Sequence, residues 1–179
     1  MIHAMIDLET LSTSPNAVIL TVGGVKFDPS TQMKPYNEMY FRMDVDSQTQ
    51  MGRNVQQSTL DWWATQPNEI SEEALGDGNR ISIEDACKQI NKFSSGVDVF
   101  WCQGPLFDYA ILQNFYTQMG IPVPWNYWQI RDSRTLFSLV PKDPNEVRTG
   151  LHNALEDCYF QARKVQKVYK QLGIKNGRY

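Results

Sequence analysis

Met1-Ile2-His3-Ala4-Met5-Ile6-Asp7-Leu8-Glu9-Thr10 opens the chain with an apolar run that closes on two carboxylates. The run predicts a strand over residues 2–8. Successive strand side chains point to opposite faces, so Asp7 and Glu9 emerge on one side, ~7 Å apart along the backbone. Two ionised carboxylates sharing a face repel unless a cation lies between them, and hard dications such as Mg²⁺ take oxygen ligands of this kind. A strand end running into a solvated acidic turn has the same local pattern, so the rest of the chain decides. His3, four residues before Asp7, is assigned to the strand, facing away from the two acids or partly buried.

Outward from this strand, residues 17–27 (AVILTVGGVKF) are rich in β-branched side chains and end in the turn signal Asp28-Pro29-Ser30. Residues 36–42 predict a third, antiparallel strand. Residues 43–57 are polar and predict a long surface loop. Ser58-Thr59-Leu60-Asp61 resembles a helix N-cap with an acid in the first turn, and the helix carries Trp62 and Trp63 before Pro67. Helices over 69–75 and 83–93 follow, with Asp77-Gly78 as the turn and Ser82 as a cap. Residues 97–102 (VDVFWC) predict a buried strand broken by Gly104-Pro105, followed by a helix over 107–119. A fifth strand is expected over 127–130, then a helix to Leu139 capped by Asp132 or Ser133, and a last long helix over 153–172. Three strands followed by alternating helices and strands predict an α/β domain with a mixed five-stranded sheet flanked by helices.

The chain of 179 residues, with 41% hydrophobic and 12% aromatic residues, reads as one packed domain spanning 1–179. No stretch has the length and apolarity of a membrane span and no signal-peptide pattern is visible, so a cytoplasmic protein is expected. Cys87, Cys102 and Cys158 fit no ligand or disulfide pattern and predict buried, reduced thiols. The formal charge of −3 argues against a large nucleic-acid footprint. With four acids neutralised by metal, however, the 17 cations outnumber the remaining acids by one, so a small nucleic-acid site stays open.

Two more acids extend the opening pair. Phe107-Asp108 places a carboxylate at a helix start past the Gly-Pro break. His152-Asn153-Ala154-Leu155-Glu156-Asp157, preceded by Leu151, places a histidine five residues before an acid at the start of the last helix. Asp7, Glu9, Asp108 and Asp157 with His152 resemble the DEDDh group of 3′–5′ exonucleases, the DnaQ-like branch of the ribonuclease H-like fold. The contexts Trp101-Cys102-Gln103-Gly104-Pro105-Leu106-Phe107-Asp108, Arg131-Asp132-Ser133-Arg134-Thr135-Leu136 and Ser58-Thr59-Leu60-Asp61-Trp62-Trp63 resemble its small mycobacterial and phage exoribonuclease branch. Gly104 stands where many DEDDh members carry Asn, a departure that this branch shares.

The resemblance implies metal-dependent 3′–5′ hydrolysis of single-stranded RNA or DNA to mononucleotides. Two Mg²⁺ per site, replaceable by Mn²⁺, would be held by Asp7, Glu9, Asp108 and Asp157, with His152 as general base. It also implies that the backbone near Glu9 and Thr10 grips the terminal sugar and that Leu11 wedges against the last base. Leu8 and Phe107, flanking the acids, are counted as substrate-binding with them. Adjacent helical residues face about 100° apart, so at most one of Trp62 and Trp63 is a stacking platform, the alternative being that both are core or interface aromatics. Arg131 and Arg134 are read as phosphate contacts or as partners of surface acids. The acid-free stretch after Asp157, with Arg163, Lys164, Lys167, Lys170, Lys175 and Arg178, is read as a dipole-matched solvated helix or as a nucleic-acid track. Glu156 points off the site. The partners expected are single-stranded 3′ ends, no membrane, and a second copy with the Trp-bearing helix as one candidate surface. The competing reading is a catalytically silent nucleic-acid-binding or assembly module on the same fold.

Overall fold

The computed structural model describes residues 1–147 and 152–175, so Leu151 and Arg178 lie outside the described residues. β1 (His3–Thr10), β2 (Ile19–Phe27) and β3 (Tyr36–Met43) form an antiparallel meander in which Asp7 lies opposite Gly23, and Gly23 opposite Tyr40. Three short helices follow: α1 (Val45–Gln50), α2 (Gln57–Ala64) and α3 (Asn68–Leu75). They lead to β4 (Arg80–Ile81), which pairs in parallel with β3. α4 (Ile83–Ser94) crosses to β5 (Val99–Cys102), parallel to β1. α5 (Asp108–Gln118) crosses to β6 (Ile130–Asp132), parallel to β5. α6 (Ser133–Phe137) and α7 (Ala154–Leu172) complete the described chain, and the strand order is β4-β3-β2-β1-β5-β6.

The sheet is mixed, α/β and helix-flanked as expected, but it has six strands instead of five. The additional strand, β4, has two residues, too few to produce a visible hydrophobic period. Residues 43–57 are not a continuous loop, because the Asp44 carboxylate accepts from Ser47 N and caps α1. Gln48 on that helix exchanges hydrogen bonds with the main chain of Ile19, which fastens the segment to β2. α2 begins at Gln57 after Gln56, so Ser58 is not its cap. A single 3₁₀ turn, Tyr127–Gln129, occupies most of the expected fifth strand, and pairing starts only at Ile130. Asp132 caps α6, which stops at Phe137, short of Leu139.

Each face of the sheet carries its own core. Ala4, Ile6 and Leu8 of β1 pack with Ala86, Ile90 and Phe93 of α4 and with Ile111 and Phe115 of α5. Met5, Val25, Val99 and Trp101 pack with Cys158, Ala162, Val165 and Val168 of α7. β2 is buried along its whole length because helices cover both of its faces, which explains its unbroken apolar run. A third cluster, Leu11, Val18, Leu20, Trp63 and Ala74, seats α2 and α3 at the start of β2. His3 shares the face of Asp7 and Glu9 rather than pointing away: it is 2% exposed, its Nδ1 accepts from Trp101 Nε1, and it packs on Phe27 and Tyr169. All three cysteines are buried. Among the described residues no helix is long and apolar enough to cross a membrane.

Adjacent glycines on β2 set how closely the two helical layers approach. A Cβ on Gly23 would lie 2.3 Å from the carbonyl carbon of Ala154, and one on Gly24 2.9 Å from the Phe93 ring. The first turn of α7 therefore rests directly on the sheet at Gly23, the residue paired with Asp7. That contact brings the acid of the last helix over the acids of the first strand.

Candidate active site

Asp7 and Glu9 project from β1 on the face covered by α7, and Asp157 descends from the first turn of that helix. Asn153 caps α7, its Oδ1 accepting from the N–H groups of Leu155 and Glu156. One carboxylate oxygen from each of Asp7, Glu9 and Asp157 falls within 4.8 Å of the other two. Glu156, next in sequence, is exposed and turned away. An all-oxygen donor set at this spacing suits a hard dication.

Asp108 arrives from the other side of β1. β5 pairs with β1 through Met5, and among the described residues the β1 edge beyond has no strand partner on that side. The Leu8 N–H on that stretch donates to Asp108 Oδ1 at 3.2 Å, placing the fourth carboxylate beside the strand that carries the first two. Gly104 makes the approach possible: its φ of +129 is a backbone conformation that glycine tolerates best, and it turns the chain from β5 into α5.

Burial, joined at Asp7 by the neighbouring charges, raises two of these carboxyls. The Asp7 carboxyl is held well above the usual range, first by burial and then by the charges of Asp108, Glu9 and Asp157, with a hydrogen bond from Gln161 opposing them. Burial pushes Asp108 up to about 7, against the pull of the Leu8 N–H, its own N–H, the Cys102 thiol and the Arg134 guanidinium. Burial likewise raises the Cys158 and Cys102 thiols, with the site carboxylates adding to the effect, so neither is a reactive thiolate.

His152 sits at the rim with a φ of +64, its backbone N–H donating to Asp157 Oδ2 at 3.3 Å. Its ring meets the edge of Trp62 at 4.7 Å between centroids. Because Asn153 performs the capping, His152 is not the helix cap.

The expected substrate residues divide into rim and core. Trp62 is 39% exposed beside His152, whereas Trp63 is 1% exposed and donates from Nε1 to the Thr10 carbonyl. Trp63 is thus a core residue that holds the end of β1 and is no stacking platform. Leu8 and Leu11 turn their side chains into the core, so Leu11 presents no exposed wedge, and Leu8 meets Asp108 through its N–H. Thr10 is buried, its Oγ1 donating to the Ser12 carbonyl. Phe107 is half-buried at the start of α5 and packs against the α4/α5-side core. Arg131 donates back to the carbonyls of Trp128 and Ile130, while Arg134 is exposed and lies near Asp108. Lys164 and Lys167 pair with Glu146 and Asp143, fastening residues 143–146 to α7 rather than forming an open cationic track. Gln161, 1% exposed and bonded to Asp7 at 3.0 Å, is a site residue absent from the sequence reading. Its spacing of four from Asp157, on the same helical face, is the signal that could have found it.

The profile of the Rv2179c-like domain family, described as a 3′–5′ exoribonuclease domain, matches residues 2–169. The Exodeoxyribonuclease of Enterobacteria phage T4 is 23% identical over 192 residues, spanning 88% of this chain and 85% of the phage protein. Among solved structures, the nuclease domain of 3′hExo, a DEDDh family member bound to rAMP, aligns with a TM-score of 0.64 and 11% identity, covering 99% of this chain and 97% of that one. Exonuclease X in complex with 5′ overhanging duplex DNA aligns with a TM-score of 0.59 and 17% identity, covering 97% and 94%.

Proposed function

The chain belongs to the Rv2179c-like 3′–5′ exoribonuclease domain family and is a 3′–5′ exonuclease; from that premise we propose that it uses two divalent cations to remove mononucleotides from the 3′ end of single-stranded nucleic acid. The observation that carries the metal reading is the convergence of Asp7, Glu9 and Asp157 oxygens within 4.8 Å, with Asp108 beside them. Four carboxylates crowded together fit a pair of dications and are electrostatically unfavourable without positive charge. Asp7, Glu9 and Asp157 would hold one cation, and Asp7 with Asp108 the other. Mg²⁺ is the expected ion, with Mn²⁺ able to substitute. Bound there, the cations supply stabilisation of negative charge on the attacking and leaving oxygens of the phosphodiester.

The protein's own groups do the rest. His152 takes the proton of the attacking water, a role for which an imidazole is suited. Trp62, exposed next to it, offers a face for the terminal or penultimate base. The backbone at Glu9 and Thr10, fixed from behind by Trp63, grips the last sugar. Arg134 lies near Asp108, on the side from which a phosphate would enter. Phe107, packed at the start of α5, and Arg131, bonded back to the Trp128 and Ile130 carbonyls, are the remaining candidate contacts.

Parallel digestion of matched single-stranded RNA, single-stranded DNA and 3′-overhang duplex tests the reading and assigns the sugar, since the family description names RNA and the phage relative's name DNA. Mononucleotide release from the 3′ end, blocked by a 3′-phosphate and abolished by chelation, is the expected outcome. Internal cuts in a circular single strand, or undiminished cleavage after exhaustive chelation, would overturn it. A silent module on this fold predicts no turnover on any of the three. The convergence of Asp7, Glu9 and Asp157, with Asp108 and His152 bonded beside them, favours the enzyme.

A further inference from the structure

Gln161 is a buried amide whose environment makes little sense as a stability device. It lies one turn beyond Asp157 on α7, 1% exposed, and its Nε2 donates to Asp7 Oδ1 at 3.0 Å. Its Oε1 has no hydrogen-bond partner among the described residues. A side chain buried for its contribution to folding would be satisfied at both ends or replaced by an apolar residue, because a half-satisfied amide costs more than it returns. The neighbouring core positions on α7, Cys158, Ala162 and Val165, are apolar.

The contact also has a defined direction. The carboxylate can only accept, so Nε2 must face Asp7 and Oε1 must face away. Donation to Oδ1 fixes the rotation of the Asp7 carboxylate and leaves Oδ2 outside that bond. Asp7 is the one acid that the four-carboxylate reading assigns to both cations, so its orientation matters more than that of any other ligand. Gly23 lets α7 approach at this level, which is what brings a residue of the second helical turn within reach of β1.

We propose that Gln161 is a positioning residue for metal binding: it locks the Asp7 carboxylate in the rotamer and rotation that serve both cation sites. The inference rests on the two-cation reading above. Outer-shell partners of this kind are worth roughly 10–100-fold in metal affinity or activity when removed.

The test uses the full chain as wild type, Gln161→Met, Gln161→Leu and Asp157→Asn. Mn²⁺ is titrated by calorimetry in the absence of nucleic acid, the melting temperature is taken without metal, and kcat is followed against Mg²⁺ concentration. The expected result for Gln161→Met is Mn²⁺ affinity weakened roughly 10–100-fold, a metal-free melting temperature equal to or above wild type, and kcat that recovers towards wild type as Mg²⁺ is raised. Wild-type Mn²⁺ affinity and an unshifted Mg²⁺ dependence in both Gln161 variants would overturn the proposal while leaving the two-cation reading intact, provided Asp157→Asn loses Mn²⁺ binding. A fall in metal-free melting temperature in both variants, or failure of both to fold, would make Gln161 structural and equally overturn it. Absence of saturable Mn²⁺ binding by the wild type would remove the two-cation reading and this inference together.

Discussion

At the level of single residues, the proposed cation site would set protonation of Asp7 and Asp108 against metal binding, and that fixes what substitutions should do. Asp7→Asn keeps the hydrogen bond from Gln161 and removes a charge that burial and three carboxylates disfavour. Turnover should disappear while the metal-free melting temperature at pH 8 rises. Near-normal turnover, measured as mononucleotide release, would show that Asp7 is not a ligand. His152 separates cleanly into ring and backbone, since Asn153 already caps α7. Asn tolerates the left-handed φ of +64 at this position, so His152→Asn removes the imidazole with little backbone penalty. If His152 is the general base, kcat should fall by roughly 10²–10⁴-fold with the melting temperature unchanged. The acidic limb of the pH–rate profile should also flatten, because the group that must be neutral is gone. Near-native kcat in a stable His152→Asn protein would end the general-base assignment.

At the level of elements, the strands and helices that carry acids were legible because their periods are strong. β1 and β2 are long and apolar, α4 has the Ser82 cap and α7 runs 19 residues, each close to the expected boundaries. What escaped is short or held by non-local bonds. β4 exists because the Arg80 guanidinium binds the carbonyls of Met43 and Ala74, and α1 because Gln48 reaches Ile19. Neither partner is near in sequence, and no local pattern announces them. The four acids and the histidine were visible as three short motifs, whereas Gln161 and Gly23 matter only through packing that the fold creates. Gly23 gives the sharpest element-level expectation. A Gly23→Ala methyl would meet the Ala154 backbone at 2.3 Å and must lift the first turn of α7 from the sheet. Overpacking of this kind costs about 1–3 kcal/mol, and here it also separates Asp157 from Asp7. Gly23→Ala should therefore lose both melting temperature and kcat, whereas Gly78→Ala, whose Cβ would meet only the Arg42 guanidinium at 3.9 Å, should keep kcat. Wild-type kcat in Gly23→Ala would show that the Asp157–Asp7 approach is not what the glycine protects.

Across the whole molecule, the raised carboxyls couple folding to pH and to metal. A carboxyl whose folded value lies above its unfolded value of 3.8 gives a contribution that is fully present below that value and is lost as pH rises through the folded value. For Asp108, pushed up to about 7, the loss runs from about pH 4 to beyond neutrality, and Asp7 shifts in the same direction. Metal-free protein should therefore lose stability across this window relative to an Asp108→Asn variant, whose site carries one ionisable group fewer. Subtracting the variant's melting curve from that of the wild type at each pH cancels the groups common to both. Added Mg²⁺ should reverse the trend, because a cation competes with the same protons and binds better as they leave. The rise in melting temperature on adding Mg²⁺ should accordingly be small at pH 5 and grow through pH 8 in the wild type, and be weaker at every pH in Asp108→Asn. Thermal melts at four pH values, with Mg²⁺ and with chelator, measure both slopes at once. A Mg²⁺-induced shift that is flat with pH, or equal in wild type and variant, would mean that the cluster does not exchange protons for metal and that the four acids are held together for some other reason.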